Sequence, residues 1–385
     1  MQPADEQLLR RAIRLAMNGR GHVEPNPMVA CVLVRDGQIL GEGFHAKFGG
    51  PHAEPTALAD CRARGNDPAG ATAYVTLEPC CHLNKKTPPC APQLIAAKIA
   101  RVVIGCLDPN PDVNGKSAAM LRAAGIEVDG PLLEAEAKQL IAPFLAGVDH
   151  NRPYVTLKWA ETADGRISGP GGARLQISNA ASSRLVHQLR SRCDAIMVGI
   201  GTVLADDPVL TVRDVPPLRR PMRVVLDRQL RLPLESRLVQ SKDTPTLVLS
   251  GPIAEPEIRA RVAPLLAAGV RIVAIAAAEG NSGVSLTEAL HPLGVERWTH
   301  LLVEPGPNLA RSFFAADAAD RLWVFRSRRR VDDASALAAP TIPVHFVETG
   351  RIDIAGDTLV EYLNSRSDTC FAVTPSADFV LAQGK

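Results

Sequence analysis

The chain has 385 residues, 46% hydrophobic and 22% charged, with a formal net charge of +2. That length exceeds one ordinary core and implies two domains, while the near-neutral balance and 4% aromatic content lack the basic footprint and stacking platforms of a nucleic-acid binder. No apolar run reaches membrane-spanning length, Met1 to Glu6 lacks the apolar core of a signal peptide, and eight cysteines, three of them clustered, fit a reducing cytoplasm better than a disulfide framework.

Leu8, Leu9, Ala12, Ile13 and Ala16 recur at helical spacing and predict an opening amphipathic helix that stops near Gly19 or Gly21. Glu24-Pro25-Asn26-Pro27 is a rigid loop, with Asn26 either a turn former or a substrate contact. Met28 to Val34 and Ile39 to Phe44 read as strands joined by an Asp36-Gly37 hairpin turn. Gly49-Gly50-Pro51 turns into a helix beginning near His52, with Glu54 in its first turn. Ala73 to Thr76 is a strand with Cys80 in the loop beyond it, and Pro92 to Lys98 is helical with Cys90 at its N-terminal side. Arg101 to Cys106 is a further strand, followed by Asp108-Pro109-Asn110-Pro111, either turn formers or partners for the edge of a heterocycle. Ser117 to Ala124 and Leu132 to Val148 each read as one helix, and a polar, proline-containing linker from Asp149 to Pro153 closes an α/β domain.

The chemistry of this half concentrates in His52-Ala53-Glu54, Cys80 and Cys90. One imidazole and two thiolates leave the fourth tetrahedral position of a zinc ion to water, which separates catalytic from closed structural sites. Zinc brings the pKa of that water toward neutrality. Glu54, two residues past a ligand, suits a proton shuttle. His-x-Glu followed by Pro-Cys and a later Cys is the pattern of zinc-dependent base deaminases, except that nine residues rather than two separate the cysteines. The competing reading is a structural zinc knuckle or ordinary buried thiols. Cys81 should point away from the metal, and His82 toward substrate or solvent.

The second half restarts with a strand from Tyr154 to Trp159, a glycine-rich loop from Gly165 to Gly172 and a helix from Ala180 to Arg192. The strand Ala195 to Val198 runs into Gly199-Ile200-Gly201-Thr202, an incomplete dinucleotide fingerprint because Leu204 stands where a third glycine belongs. Strands at 222–227, 246–250 and 271–274 alternate with helices at 258–266 and 286–293. The strand His300 to Glu304 meets Pro305-Gly306-Pro307-Asn308, a second candidate phosphate cradle, before a helix through Phe314. Arg321 to Phe325 is a strand, and the tail from Thr341 holds short β-like segments. Alternation again argues for an α/β sheet.

These residues carry a resemblance. Pro25-Asn26-Pro27, His45 with His52-Ala53-Glu54, Leu77-Glu78-Pro79-Cys80 with Lys86-Thr87-Pro88-Pro89-Cys90, and Asp108-Pro109-Asn110-Pro111 match in the first half. Arg152 to Val155 with Lys158, Asp164-Gly165-Arg166, His187 to Arg190, Asp194 to Thr202, Ala205 to Arg213, and Val303 to Pro307 match in the second. The chain resembles the bifunctional riboflavin-biosynthesis deaminase–reductase family over nearly its whole length.

The resemblance implies a cytidine-deaminase-like domain over residues 1–148 and a dihydrofolate-reductase-like domain over 152–385, with Zn2+ and NADPH as cofactors. Hydrolytic deamination of a phosphoribosylated diaminopyrimidinone would precede reduction of its ribosyl group to ribityl. His52, Cys80 and Cys90 would hold the metal and Glu54 would be catalytic. Asn26, His45, His82, Lys86, Thr87, Asp108 and Asn110 match deaminase substrate positions. Ala160, Gln176, Thr202, Asp206, Arg228, Gly306 and Pro307 fall on the reductase cofactor side; Lys158, Arg174, Arg190, Leu210, Arg213 and Glu304 fall on its substrate side. A small-molecule substrate, a cytoplasmic location and a homo-oligomer without nucleic acid or membrane complete the expectation. Departures from the pattern are an extra residue near Leu83-Asn84-Lys85, and Arg174, Gln176 and Pro305 where other residues are usual. They leave two alternatives: an active deaminase with an altered reductase half, and a nucleic-acid base deaminase.

Overall fold

In the computed structural model, which describes residues 3–82, 88–276, 284–367 and 375–383, the chain divides into two units, Met1–His150 and Asn151–Lys385. Among the described residues no helix is long and apolar enough to cross a membrane.

In the first unit the elements run α1 (Pro3–Ala16), β1 (Ala30–Arg35), β2 (Gln38–Phe44), α2 (Ala53–Ala63), β3 (Thr72–Leu77), α3 (Cys90–Ala96), β4 (Arg101–Cys106), α4 (Lys116–Ala123), β5 (Glu127–Asp129), α5 (Glu134–Leu140) and α6 (Ala142–His150). The strands form one sheet in the order β2-β1-β3-β4-β5. β1 is antiparallel to β2 and β3, whereas β3, β4 and β5 are parallel. Parallel strands covered on both faces read as nearly unbroken apolar runs, as Ala73 to Leu77 and Val102 to Cys106 do. The expected single helix over 132–148 is instead two, broken at Ile141, and β5 was not foreseen. α3 starts at Cys90 rather than Pro92.

Glycine decides where α2 lies. On β2, a Cβ at Gly41 would sit 2.6 Å from the Ala57 carbonyl oxygen, and one at Gly43 would sit 2.3 Å from the Ala57 nitrogen. The helix backbone therefore rests directly on the strand, with Ala53 and Ala57 buried in the contact. α1 is pinned from the other side: Asp5 accepts from Tyr74 Oη at 2.8 Å and from Arg101 Nη1 at 2.9 Å.

The second unit contains β6 (Tyr154–Glu161), α7 (Ala180–Arg190), β7 (Ala195–Gly199), α8 (Ile200–Asp206), β8 (Met222–Leu226), α9 (Arg237–Gln240), β9 (Thr246–Ser250), α10 (Pro256–Ala267), β10 (Arg271–Ala274), α11 (Leu286–Val295), β11 (His300–Val303), α12 (Pro307–Ala315), β12 (Arg321–Arg326), β13 (Phe346–Ile354), β14 (Asp357–Asn364) and α13 (Ala377–Ala382). The nine-stranded sheet is ordered β10-β9-β8-β7-β11-β6-β12-β14-β13. It is parallel from β10 to β12, with an antiparallel hairpin at the far edge. The period of two sorts its side chains between two cores. Ala195, Met197, Leu322 and Val324 meet α11 and α12 on one face. Ile196, Val198, Trp323 and Phe325 meet α7, α8 and α10 on the other. Both units are α/β, as the sequence leads one to expect.

Candidate active sites

His52 is the N-cap residue of α2 and Cys90 the first residue of α3, while Cys80 lies in the loop after β3. One donor atom from each lies within 4.8 Å of the others. His52 Nδ1 is 3.5 Å from Cys90 Sγ and 3.7 Å from Cys80 Sγ. Zinc bonds of about 2.0 Å to nitrogen and about 2.3 Å to sulfur at a tetrahedral angle span about 3.5 Å between donors, so this spacing fits a shared ion. The Cys90 thiol is pushed far above its usual range by contact with Cys80 and by burial. Two buried sulfurs held this close become thiolates only with a cation between them, and soft sulfur with imidazole suits zinc. Val113 packs against both sulfurs.

Glu54 is 3% exposed, and its carboxylate reaches the Cys90 sulfur. Burial raises its pKa and the Cys80 sulfur adds to the rise; a bound dication would act in the opposite direction. Among the deaminase substrate candidates, Asn26 and His45 stand at this cluster. Asn26 Nδ2 is 3.2 Å from His45 Nε2, His45 Nδ1 is 2.8 Å from the Pro51 carbonyl, and the His45 and His52 rings are 5.3 Å apart. His82 Nδ1 is buried and lacks a hydrogen-bond partner among the described residues. Asp108 Oδ1 accepts from Asn110 N at 2.9 Å and Asn110 Oδ1 from Asp112 N at 3.0 Å, so these oxygens close turns in their own loop. Lys86 and Thr87 lie outside the described residues.

In the second unit Arg190, at the end of α7, and Glu304, just beyond β11, form a two-bond ion pair: Nε donates to Oε1 at 2.7 Å and Nη2 to Oε2 at 2.9 Å. The remaining Nη1 donates to the Thr211 carbonyl at 3.1 Å. β6 pairs beside β11, bringing Lys158 next to Glu304, with its ammonium 5.6 Å from the centre of the Phe325 ring. Burial alone would push Glu304 up, but Arg190 and Lys158 outweigh it and hold the carboxyl at about 2. Burial depresses Lys158 and Arg190 adds to the depression, against the pull of Glu304. Arg213 donates from Nη1 to Thr211 Oγ1 at 3.1 Å. Leu210 is buried with φ 51°, a left-handed backbone uncommon for a branched side chain.

His187 received no role from sequence, although it lies one turn before Arg190 on α7. Its Nδ1 accepts from the Arg213 backbone N–H at 3.2 Å, and burial with Arg190 and Arg213 pushes the imidazole down to about 4. Of the cofactor-side candidates, Thr202 on α8 and Gly306, the N-cap of α12, are neighbours: a Cβ on Gly306 would lie 3.8 Å from Thr202 Oγ1. Pro307 opens α12, Asp206 ends α8 and Ala160 lies on β6. Arg228 follows β8 and lies across Gly251, where a Cβ would come within 2.8 Å of its Cγ. Arg174 and Gln176 are exposed, and Gln176 Nε2 donates to the Ser178 carbonyl.

Residues 2–106 match the family described as "Cytidine and deoxycytidylate deaminase zinc-binding region", and residues 153–327 match "RibD C-terminal domain". The riboflavin biosynthesis protein RibD of Aquifex aeolicus is 39% identical over 83% of this chain and 86% of its own length. That of Escherichia coli is 39% identical over 83% of this chain and 87% of its own. A solved Thermotoga maritima structure, titled a diaminohydroxyphosphoribosylaminopyrimidine deaminase/5-amino-6-(5-phosphoribosylamino)uracil reductase, shares 35% identity at a TM-score of 0.77 and covers 94% of this chain and 98% of that one. A solved Acinetobacter baumannii RibD covers 93% of this chain and 98% of its own at a TM-score of 0.77 and 34% identity. With both family regions in order and similarity spanning most of each relative, this chain belongs to the RibD family of riboflavin biosynthesis proteins.

Proposed function

We propose that the chain catalyses two consecutive reactions of riboflavin biosynthesis. The first is zinc-dependent hydrolytic deamination of 2,5-diamino-6-(5-phosphoribosylamino)pyrimidin-4(3H)-one, assigned to residues 1–148. The second is NADPH-dependent reduction of the ribosyl group to ribityl, assigned to residues 152–385. The observation that carries the deaminase reading is the convergence of His52, Cys80 and Cys90 with buried Glu54 beside them. It is joined by family membership over both regions.

His52, Cys80 and Cys90 would hold zinc, whose Lewis acidity makes water nucleophilic near neutral pH. Glu54 takes the proton that this water loses and passes it to the departing amine; its burial and its place next to the donors suit that exchange. Asn26, His45, His82, Lys86, Thr87, Asp108 and Asn110 are assigned to the pyrimidine and its phosphoribosyl group.

In the reductase half NADPH supplies the hydride, and Ala160, Gln176, Thr202, Asp206, Arg228, Gly306 and Pro307 are assigned to its binding. Glu304 stays ionised, held by Arg190 and Lys158. It orients the sugar that Lys158, Arg174, Arg190, Leu210 and Arg213 surround. With the Arg190 fork taken by Glu304, Arg213 is the better partner for the phosphate. A cytoplasmic location and a homo-oligomer belong to the same reading; none of the seven described cysteines forms a disulfide. The test is an assay of the full chain on the phosphoribosylated diaminopyrimidinone, following ammonia release and NADPH oxidation separately. Ammonia without NADPH oxidation would leave only the first half of the proposal standing.

A further inference from the structure

Glu78 lies two residues before Cys80 and is 2% exposed. An ionised carboxylate so deeply buried is costly unless hydrogen bonds compensate it, and this one accepts four. Oε1 receives Ser117 Oγ at 2.8 Å and Ala118 N at 3.3 Å. Oε2 receives Gly115 N at 2.9 Å and Asp108 N at 3.3 Å. Three donors belong to the N-terminal turn of α4, whose own N-cap residue Gly115 has φ 72° and no capping side chain. Glu78 therefore caps that helix from thirty-seven residues upstream of Gly115, placing negative charge where the helix dipole favours it.

The fourth donor opens the loop that carries Asp108 and Asn110. This loop is tied to the metal-donor segment at further points: Glu78 N donates to the Cys106 carbonyl at 2.9 Å, and Cys81 Sγ lies 3.8 Å from the Asp112 carbonyl. Val113, between the loop and α4, packs on Cys80 and Cys90. One carboxylate thus joins the segment bearing a metal donor to the segment assigned to the pyrimidine.

We infer that Glu78 is a positioning residue for deamination, an internal cap whose four hydrogen bonds fix the Asp108–Asn110 loop and Val113 against the metal donors. The inference rests on the proposed deaminase reading. Glutamine cannot replace it fully: the amide has a single acceptor oxygen, and its NH2 would face a pair of donors.

The test uses full-length Glu78→Gln and Ser117→Ala. It measures KM and kcat for ammonia release from the phosphoribosylated diaminopyrimidinone, zinc per chain, NADPH oxidation on deaminated substrate, and amide exchange over residues 107–118 and 53–63. For Glu78→Gln, kcat/KM should fall about 10- to 100-fold, the scale of one or two buried donors left unmet. Zinc and NADPH oxidation should hold, with faster exchange over 107–118 only. Ser117→Ala keeps the carboxylate and loses one donor, so KM should rise about 3- to 10-fold with kcat within twofold.

Wild-type KM and kcat in Glu78→Gln would overturn the inference, as would zinc loss in step with activity in Ser117→Ala. If Glu78→Gln fails to fold, an unchanged KM in Ser117→Ala overturns it instead. Absence of ammonia release from the wild-type chain would sink the deaminase reading. Exchange then judges Glu78 by itself, and unchanged protection over 107–118 in both variants refutes the positioning role.

Discussion

Arg190 grips Glu304 through two parallel hydrogen bonds of 2.7 and 2.9 Å, and this fork occupies both Nε and Nη2 of the guanidinium. With Lys158 it keeps the Glu304 carboxyl ionised down to about 2 despite burial. Glu304→Gln keeps the shape but removes the charge on which both cations converge, leaving them in mutual repulsion. NADPH oxidation should fall about 100-fold, a typical size for loss of a positioned charged group at a reacting centre. Ammonia release, assigned to the other unit, should stay within twofold. Equal loss of both activities would show that the substitution disrupts the chain rather than the reductase site.

The zinc donors and Glu54 separate in a second experiment. Cys80→Ala removes one of the three converging donors, so metal content and ammonia release should disappear together. Glu54→Gln leaves all three donors and should retain zinc. Its ammonia release should drop by about 100-fold or more, the usual contribution of a general acid–base group. Metal analysis alongside turnover checks both; full activity in Glu54→Gln would remove the carboxylate from the mechanism.

What the sequence reveals here follows from the range of each interaction. His52, Glu54, Cys80 and Cys90 are legible as a group because metal donors and a proton shuttle are uncommon side chains in a telling order. Gly199, Thr202 and Gly306 are legible as strand-to-helix corners because glycine punctuates them. Glu78 is not: its donors lie 30 to 40 residues downstream, three of them backbone N–H groups that no side-chain pattern announces. The role of Gly41 and Gly43 depends on a helix backbone resting on their strand, which only the packed unit discloses. The break at Ile141 was missed because apolar residues on both sides keep helical spacing through it.

The strand–helix contact gives a third prediction. A methyl at Gly43 would lie 2.3 Å from Ala57 N and 2.6 Å from Ala53 O, both backbone atoms of α2 that cannot turn aside. Gly43→Ala must push α2 off β2 and carry His52 and Glu54 away from the two cysteines. Overpacking of this kind costs about 1–3 kcal/mol, and zinc affinity should fall with it. Gly147→Ala is the control: nothing lies within 4 Å of its added Cβ, and it sits inside α6. There the change should stabilise by up to about 1 kcal/mol through helix propensity. Thermal melts and zinc titrations of the two variants read both effects.

The pH dependence of the second unit should bear the mark of His187. Burial, then Arg190 and Arg213, push its imidazole from an ordinary 6.5 down to about 4. The unfolded chain therefore takes up the proton first as pH falls. The contribution of neutral His187 to stability is complete above about 6.5 and drains away toward 4. Protonation also removes the Nδ1 acceptor that holds the Arg213 backbone N–H at 3.2 Å, so the phosphate-facing arginine loosens in the same window. Between pH 6.5 and 5 the wild-type chain should lose about 1–2 kcal/mol that His187→Gln, having nothing to titrate there, does not lose. KM for the phosphorylated substrate should rise over that range in the wild type and stay flatter in the variant. Parallel stability curves for the two proteins from pH 7 to 5 would mean that this imidazole is already free to charge in the native fold.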